Sequence, residues 1–482
     1  MTTIKQRRRR GRTRGVVIGV TVAALAGMTP GASAALDAQL TWRDCAGQGI
    51  PAGMQCAAIE VPVDWAKPDG SKVELDLARL PATDPAHRIG SVFTIPGGPG
   101  EDGIASMKQF ADRYTTLRQR FDVVTSSPRN STPVKKLPAS CLKFGPGVSE
   151  PGNRREYEAQ AKVLARAVAT CRKEDRSGLF TRLDGLSMAR DVEAIRAALG
   201  EERLSFMAWS AGGSPATAYA RLFPQRIRAM YLDGVYNQPN GKLLWDRMLR
   251  EYGEKQLREF FDWCARTSTC ALHGEDAGKV WRKLLKDADR SPIPVTSAQF
   301  GEGKLTGFHL QMAAGLAEAD PGAFAKAVDK ARHGDGSAFA DNILGLLAVY
   351  TRPITLAQRC SDGLGYTTWT EHRQALREAR KISPDMPYST FDGLVCSGWK
   401  IPVANPARPL PVNGLPPFLG AGSRFDFPWT DSLTHTIPGS TSVLYDGPGH
   451  VLYLTGSKCV VEHADRYLTE LKLPPAGTVC RV

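Results

Sequence analysis

Ser210 is the residue of this sequence best placed to act as a nucleophile. It is the centre of AWSAG at residues 208–212, between a strand-like segment at 204–209 and a helix-like segment at 212–223. The pattern is GxSxG with alanine for the first glycine, and its small residues let a strand turn sharply into a helix, which exposes the strained serine above the sheet. The alternative is a small-residue turn with an incidental serine.

His450 is the predicted base for Ser210. A serine hydroxyl attacks poorly until a base removes its proton, and the chain has only eight histidines. His450 ends the segment DGPGH at residues 446–450, directly after a strand-like run at 441–445. The competitors are His435 and His463, which lie in helix-like segments where a surface role is more common.

Asp426 is the predicted acid of the same site. It is the nearest carboxylate on the loop that follows a strand-like run at 416–419. There it would orient the imidazole of His450 and stabilise the imidazolium. The chain order of serine, acid and then histidine after the last strand is that of the α/β hydrolases. Asp431 is the rival acid, and its alternative role is that of a helix N-cap.

Acyl transfer also needs donors for a developing oxyanion. The backbone N–H of Ala211, the residue after the nucleophile, is the first expected donor. The second should come from the loop after an early strand, where GGPG occupies residues 97–100, and Gly98 is our choice. Glycine lets a backbone approach a ligand closely, although GGPG without Ser210 would indicate only a loop.

Strand-like and helix-like segments alternate around these residues. The strand-like segments fall at 57–63, 72–81, 90–95, 121–125, 204–209, 227–232, 416–419 and 441–445. The helix-like ones between them include residues 188–199 and 212–223, and this alternation predicts a doubly wound, mostly parallel sheet with right-handed crossovers. From about residue 242 to 380 the chain has mostly amphipathic helix patterns.

These patterns predict an α/β-hydrolase core in two parts with an inserted cap. The core should occupy residues 35–240 and 401–482, and the mostly helical cap residues 241–400. We see no internal repeat and no low-complexity tract beyond the first 34 residues.

The composition is that of a globular protein. Of 482 residues, 42% are hydrophobic and 23% are charged, which excludes a disordered chain, a collagen or a coiled-coil rod. The net charge of +13 is concentrated at the N-terminus, where residues 1–34 carry seven basic and no acidic residues. The remaining charge is spread out, without a basic run or an aromatic ladder, so nucleic-acid binding is not expected.

Residues 1–34 have the pattern of a signal peptide. An arginine-rich segment precedes a mostly apolar stretch of 14 residues at 15–28, and ASA at 32–34 is a small-residue cleavage site. The alternative is an uncleaved anchor or a basic arm. No other segment reaches 18 apolar residues, so the sequence predicts a secreted protein without a stable membrane association after cleavage.

The ten cysteines agree with export. Their number is even, they lack zinc-ligand spacing, and an oxidising compartment would convert them into disulfides. Spacing alone does not determine the pairing. Proximity along the chain suggests Cys45–Cys56, Cys141–Cys171, Cys264–Cys270, Cys360–Cys396 and Cys459–Cys480.

The chain resembles the secreted bacterial tripeptidyl aminopeptidases, α/β-hydrolase serine exopeptidases related to proline iminopeptidase. The resemblance covers most of residues 40–482 and is weak across the insert. It rests on GGPG at 97–100, WSAGG at 209–213, RLFPQRIRAMYLDGV at 221–235, DGPGH at 446–450 and the tail with Cys459 and Cys480. The family's triad falls on Ser210, Asp426 and His450, and its oxyanion glycine on Gly98.

Three features depart from the family's usual pattern. The elbow has Ala208 and Ala211 where glycine and tyrosine are usual, and SPRNS at 127–131 stands for DPRGxG. Glu101 and Asp102 follow the glycine-rich loop, where small neutral residues are usual. These departures bear on substrate preference, including the family's preference for proline or a small residue before the scissile bond.

The sequence thus predicts a serine exopeptidase that releases tri- or tetrapeptides from the free N-terminus of peptides and proteins. Such an enzyme must pair the substrate ammonium with a carboxylate, and the candidates are Glu101, Asp102 and Asp362. The rivals are a secreted esterase or lipase with the same triad and a non-catalytic binding protein on this scaffold. We expect no metal and no organic cofactor, because HExxH, a P-loop and GxGxxG after a strand are absent. We also expect a monomer.

Overall fold

The computed structural model describes residues 40–131, 137–145 and 147–482. The predicted signal peptide, residues 1–34, lies outside the described residues. Within the described ranges, no helix combines the length and the apolar character needed to cross a membrane.

Twelve strands and seventeen α-helices are found in these ranges. The strands are β1 (Arg43–Asp44), β2 (Gln55–Pro62), β3 (Lys72–Leu80), β4 (Gly90–Ile95), β5 (Phe121–Ser126), β6 (Leu204–Trp209), β7 (Ile227–Asp233), β8 (Ile293–Ser297), β9 (Gly301–Leu305), β10 (Leu419–Ser423), β11 (Thr441–Asp446) and β12 (Val479–Arg481). The helices of the first half are α1 (Gly103–Gln109), α2 (Ala139–Leu142), α3 (Arg154–Glu174), α4 (Gly185–Ala198), α5 (Gly213–Leu222), α6 (Gly241–Arg266) and α7 (Ala277–Arg290). Those of the second half are α8 (Gly307–Met312), α9 (Leu316–Ala319), α10 (Pro321–Arg332), α11 (Ser337–Tyr350), α12 (Pro353–Ser361), α13 (Trp369–Ile382), α14 (Phe391–Val395), α15 (Phe427–Thr434), α16 (Leu452–Thr455) and α17 (Lys458–Glu470).

Ten of the strands form one mixed sheet in the order β1-β2-β3-β5-β4-β6-β7-β10-β11-β12. The pairs from β5 through β12 are parallel, and β1, β2 and β3 are joined antiparallel at the other edge. The predicted fold class, a mostly parallel sheet with helices, is confirmed. Because β6, β7, β10 and β11 are parallel neighbours, their carboxyl ends lie side by side along one edge of the sheet.

Helices cover both faces of the central strands, which explains their continuous apolar character. Along β6 successive side chains alternate between faces. Met207 and Trp209 belong to the core that includes residues of α16 and α17, whereas the ring of Phe206 contacts Tyr219 of α5, with ring centroids 4.7 Å apart. Burial on both faces makes this part of the sheet a rigid base for the loops at its carboxyl edge.

The strand that precedes Asp426 was predicted too early. The sequence indicated residues 416–419, whereas β10 runs from Leu419 to Ser423. Its sequence, LGAGS, has little intrinsic β preference. A Cβ on Gly422 would lie 2.5 Å from Phe427 Cα, so the glycine is needed where α15 packs directly on the strand.

Residues 241–395 run from the start of α6 to the end of α14 and are mostly helical. They also contain the antiparallel hairpin β8–β9, which the helix patterns did not predict. The domain boundaries given above stay a prediction.

Five disulfides link the ten cysteines. They are the same five pairs that proximity along the chain suggests. Cys459–Cys480 joins the start of α17 to β12, and β12 pairs with β11, the strand that leads to His450. This bridge therefore stabilises the end of the sheet nearest the histidine loop.

Replacing both Cys459 and Cys480 by alanine should lower the free energy of unfolding. The bridge spans 21 residues, and the loop-closure entropy for that length corresponds to about 3 kcal/mol. The control is the pair Cys264 and Cys270, which spans 6 residues in the mostly helical segment 241–395. Denaturant unfolding should show the smaller loss for the control, and only the Cys459/Cys480 variant should lose activity. Equal unfolding curves for wild type and this variant would contradict the prediction.

Candidate active site

Ser210 lies at the sharp turn between β6 and α5. Its φ of +52° is in the left-handed region, which non-glycine residues rarely adopt, and residues Ser210–Gly212 form a single 3₁₀ turn. A Cβ on Gly212 would lie 2.5 Å from the carbonyl oxygen of Ile95, so the turn requires glycine there because the end of β4 packs against it. This is the geometry of a nucleophile elbow.

The GGPG loop after β4 packs against this turn. A Cβ on Gly97 would lie 2.8 Å from Cβ of Ser210. The N–H of Gly97 donates to Glu101 Oε2 at 2.8 Å, whereas Gly98 is exposed and has a φ of +101°. The loop predicted to carry an oxyanion donor thus approaches Ser210 through Gly97, the residue before Gly98.

His450 and Asp426 form a hydrogen-bonded pair. His450 Nδ1 lies 2.6 Å from Asp426 Oδ2, and since a carboxylate only accepts, Nδ1 is the donor. The other carboxylate oxygen, Oδ1, accepts the backbone N–H of Ser423 at 2.6 Å and its hydroxyl at 3.1 Å. Asp426 is fully buried, while 41% of the His450 side chain is exposed, so the acid is held and the imidazole remains accessible.

Carboxylates around His450 favour its protonated form. Burial by itself would lower the pKa of His450, but the hydrogen bond and charge of Asp426, together with the charges of Asp233 and Glu101, outweigh this effect and raise the pKa above its ordinary value of 6.5. Glu101 also accepts the N–H of Gly97 in the GGPG loop, which packs against the turn at Ser210. The charge of Glu101 therefore acts on His450 from the loop that contacts the elbow.

The competing histidines have other partners. His435 Nδ1 lies 2.9 Å from Asp431 Oδ1, with Asp431 in α15 and His435 directly after it, so one contact accounts for both rivals. His463 lies beside Cys459 and Cys480. Among the described residues, the potential metal-ligand atoms of these three lie within 4.8 Å of one another. Because the two sulfurs form a disulfide, this group offers no thiolate to a metal ion.

Two family models match the chain. One described as "alpha/beta hydrolase fold" matches residues 92–294, and one described as "TAP-like protein" matches residues 386–480. Serine protease Hip1 of Mycobacterium tuberculosis (strain ATCC 25618 / H37Rv) is 28% identical over 474 residues, with 89% of this chain and 88% of the relative covered. Tripeptidyl aminopeptidase of Streptomyces lividans is 26% identical over 486 residues, with 93% and 88% covered. Carboxylesterase B of Mycobacterium tuberculosis (strain CDC 1551 / Oshkosh) is 24% identical over 499 residues, with 94% and 92% covered.

The chain thus matches the α/β-hydrolase fold model in its first part and the TAP-like model in its last part, and it is similar to tripeptidyl aminopeptidases over most of its length. The resemblance seen in the sequence is confirmed, and the protein is an enzyme, a serine hydrolase.

An aromatic wall extends from the elbow of this hydrolase. It consists of Tyr236, Trp245, Tyr252, Phe425 and Trp429, and Ala211 belongs to the same cluster. The Phe425 ring lies 4.8 Å from that of Tyr252 and 6.2 Å from that of His450. The space next to Ser210 and His450 is thus bounded on one side by flat apolar surfaces.

Two of the three predicted ammonium anchors have structural roles instead. Asp362 is 1% exposed, and its oxygens accept from Gly185 N, Ser214 Oγ and Asn405 Nδ2 at 2.6–3.0 Å. Burial raises the pKa of Asp362 to about 7. A substrate cannot reach this carboxylate in the described fold, so we correct that assignment.

Asp102 caps helix α1 instead of facing a ligand. Its Oδ1 accepts the N–H of Ile104 at 3.1 Å and the hydroxyl of Ser127 at 2.5 Å. Glu101 is partly exposed, and its Oε2 accepts from Gly97 N and from Trp209 Nε1 at 3.1 Å. Of the three, Glu101 alone borders the elbow.

Gly234 is a site residue that sequence analysis missed. It follows β7 with a φ of +59°, and a Cβ there would lie 2.5 Å from Asp426 Oδ2 and 2.9 Å from His450 Nδ1. The hydrogen-bonded pair therefore occupies the space that any side chain at residue 234 would take. The segment LDGV looks like an ordinary strand end, and only the tertiary structure reveals this constraint.

Replacing Gly234 by alanine should disrupt the Asp426–His450 pair. A displacement of about 1 Å of a catalytic group can lower a rate about 100-fold, and we expect a loss of that order in kcat. Gly200→Ala is the control, because Gly200 has a φ of +71° and a Cβ added there would have nothing within 4 Å. Steady-state kinetics on both variants check the prediction. Equal kcat in Gly234→Ala and Gly200→Ala would contradict it.

Proposed function

We propose that this enzyme is a secreted serine exopeptidase that releases tri- or tetrapeptides from a free N-terminus. In this proposal Ser210 is the nucleophile, His450 the base and Asp426 the acid that orients it. The observation that carries the proposal is the hydrogen bond of 2.6 Å between His450 and buried Asp426, together with a serine in the strained elbow conformation at the same carboxyl edge of the sheet. Together these are the parts of a serine acyl-transfer site.

The reaction begins when His450 Nε2 takes the proton of Ser210 Oγ and the oxygen attacks the scissile carbonyl carbon. The N–H groups of Gly98 and Ala211 stabilise the resulting oxyanion. His450 then gives the proton to the leaving amine, the C–N bond breaks, and an acyl-enzyme remains. Water, deprotonated by His450, attacks the acyl carbon, and the short peptide leaves as Ser210 regains its proton.

The aromatic wall favours substrates that have an apolar residue directly before the scissile bond. Phe425 and Trp429 have ring centroids 4.8 Å apart at 87°, and Tyr252 and Trp245 extend the same surface. Flat aromatic rings can bind a compact apolar side chain that forms no hydrogen bonds. This feature is compatible with the proline or small residue that some members of the family prefer.

Glu318 of α9 is a better ammonium anchor than the acids found by sequence. Its Oε2 accepts the hydroxyl of Tyr252, while its Oε1 is buried and accepts no hydrogen bond from the described residues. Burial is the main effect and raises the pKa of Glu318, against the lowering effects of the Tyr252 hydroxyl and of the charges of Arg424 and Lys255. A substrate ammonium would pair directly with the oxygen that accepts no hydrogen bond.

The length of the released peptide also favours Glu318. Three extended residues span about 10 Å, whereas Glu101 bonds directly to Gly97 and Trp209, the immediate neighbours of Ser210. Glu318 lies farther out, beyond the Tyr252 and Phe425 rings that separate it from His450. This spacing suits an amine held at a fixed distance of several residues from the serine.

Export is part of the proposal. Five disulfides join all ten cysteines, and such bonds persist in oxidising compartments. The signal-peptide pattern at residues 1–34 agrees with this. Esterase activity is the second candidate, because one relative carries the name carboxylesterase and the same triad cleaves esters.

Ser210→Ala should abolish turnover and leave the fold intact. Loss of a triad member typically lowers kcat by about 10⁶-fold. A fluorophosphonate probe should label the wild type covalently and leave Ser210→Ala unlabelled, with circular dichroism as the test of folding. Near-normal turnover in a clean Ser210→Ala preparation would overturn the mechanism.

A free substrate amine should matter, and Glu318 should account for it. We expect a tripeptide p-nitroanilide to be cleaved much faster than its N-acetylated form. Glu318→Gln should lower kcat/KM for the free substrate by about 10- to 150-fold, since a charge-assisted pair contributes about 1.5–3 kcal/mol. The acetylated substrate should be unaffected by this variant.

Glu302→Gln is the matched control, because Glu302 is an exposed carboxylate of β9 in the same region of the chain. If the acetylated peptide is cleaved as well as the free one, the exopeptidase proposal fails. If the free peptide is preferred and Glu318→Gln behaves like Glu302→Gln, the exopeptidase proposal stands and the anchor is a different residue. Glu101→Gln then tests the nearer carboxylate.

A further inference from the structure

His450 is followed by a strained turn. Val451 has a φ of +56°, and it is one of three non-glycine residues with a positive φ in the described chain, the others being Ser210 and Leu471. Helix α16 begins at the next residue, Leu452. A valine resists this conformation because of its branched side chain, so other contacts must hold the turn.

Asp233, the last residue of β7, makes those contacts. Its Oδ1 accepts the N–H of Leu452 at 3.0 Å, and its Oδ2 accepts the N–H of Tyr453 at 2.8 Å. The Tyr231 hydroxyl donates to Oδ2 at 3.0 Å. Asp233 is 1% exposed, so three donors replace the water that this carboxylate loses. These bonds attach the histidine loop to the central strand next to β6.

We propose that Asp233 is a positioning residue that presents His450 to Ser210, by holding the strained turn at Val451 through the N–H groups of Leu452 and Tyr453. The inference rests on the proposed function of His450 as the base. Asp233 does not touch the imidazole through a hydrogen bond; it acts on the backbone that carries it.

Asp233 also acts on His450 through its charge. The titratable groups that face it are Tyr231 on its own strand, Asp426 and His450 from the loops after β10 and β11, and Tyr453 of α16. Burial raises the pKa of Asp233 to about 6, and the charge of Asp426 adds to this effect, against the lowering effect of the bonds from Tyr453, Leu452 and Tyr231. Its negative charge in turn helps to raise the pKa of His450.

Asp233→Asn is the decisive variant. Asparagine has nearly the same shape as aspartate, but an NH₂ group replaces one of the two carboxylate oxygens. An NH₂ group cannot accept the N–H of Leu452 or Tyr453 that faces it, so one hydrogen bond to the turn is lost. We expect kcat to fall by about 10- to 100-fold, as for a small misplacement of a catalytic group, with KM changed little. The acidic limb of kcat/KM should also move to lower pH, because the imidazolium has lost one stabilising negative charge.

Asp465→Asn is the matched control. Asp465 is another buried carboxylate, 6% exposed, whose pKa burial likewise raises to about 6. It accepts the hydroxyl of Tyr453 at 2.7 Å but is not bonded to the backbone of the turn. Its replacement should leave the pH limb of kcat/KM in place. An unchanged kcat and pH limb in Asp233→Asn, or the same shift in Asp465→Asn, would overturn the inference.

Tyr231→Phe keeps the proposal testable if Asp233→Asn does not fold. It retains the carboxylate and both backbone bonds and removes one donor that lowers the pKa of Asp233. Asp233 should then protonate at a higher pH, where it loses one acceptor for the turn as Asp233→Asn does, so kcat should begin to fall at a higher pH than in the wild type. An unchanged profile would contradict the proposal.

The pH dependence of fluorophosphonate labelling separates this inference from the function on which it rests. If the wild type is not labelled at Ser210, the proposed function fails. If the wild type is labelled and Asp233→Asn reacts at the same rate with the same pH limb, only the role of Asp233 fails.

Discussion

The hydrogen bond between His450 and buried Asp426 is the interaction on which the rest of the site depends. A carboxylate without solvent contact is tolerated only where donors replace the lost water. Here Ser423 supplies two donors to one oxygen, and the imidazole supplies a third to the other at 2.6 Å. Because the acid is fixed by its own strand end, the imidazole has a single orientation in which it can donate.

The order of strands in the sheet explains how these groups meet. Neighbouring strands β6, β7, β10 and β11 end successively in or just before Ser210, Asp233, Asp426 and His450. Their carboxyl ends share one edge, which is where open α/β sheets place their ligands. The disulfide Cys459–Cys480 and strand β12 then close the sheet on the side of β11.

The site also requires glycine at two positions where neighbouring groups leave no room for a side chain. At Gly422 a Cβ would meet the start of α15, and at Gly234 it would meet the Asp426–His450 pair itself. A side chain at 422 would push α15 away from its strand and would also meet Asp426 Oδ1 at 2.8 Å, whereas a side chain at 234 would separate the acid from its base.

The sequence indicated Ser210, Asp426 and His450 because their local patterns are strong. Ser210 is surrounded by small residues between a strand and a helix, and the other two follow strands in the expected order. The strand before Asp426 was predicted three residues early, because LGAGS has the glycines that helix packing requires and lacks β-branched residues. Asp233 and Gly234 gave no signal, since the acid and the histidine loop that they contact are more than 180 residues away in the chain. Asp362 was wrongly proposed as an anchor, because a disulfide neighbour says nothing about burial or about the donors that surround a carboxylate.

The most direct test of the central claim is an NMR titration of the His450 imidazole in ¹⁵N-histidine-labelled protein, with the signal assigned by its loss in His450→Gln. The account predicts a titration midpoint above 6.5 in the wild type, because Asp426 and its neighbouring carboxylates raise the pKa of His450. It predicts a lower midpoint in Asp426→Asn, where the hydrogen-bonded charge is gone. A wild-type midpoint at or below 6.5, or one that Asp426→Asn leaves unchanged, would contradict the account.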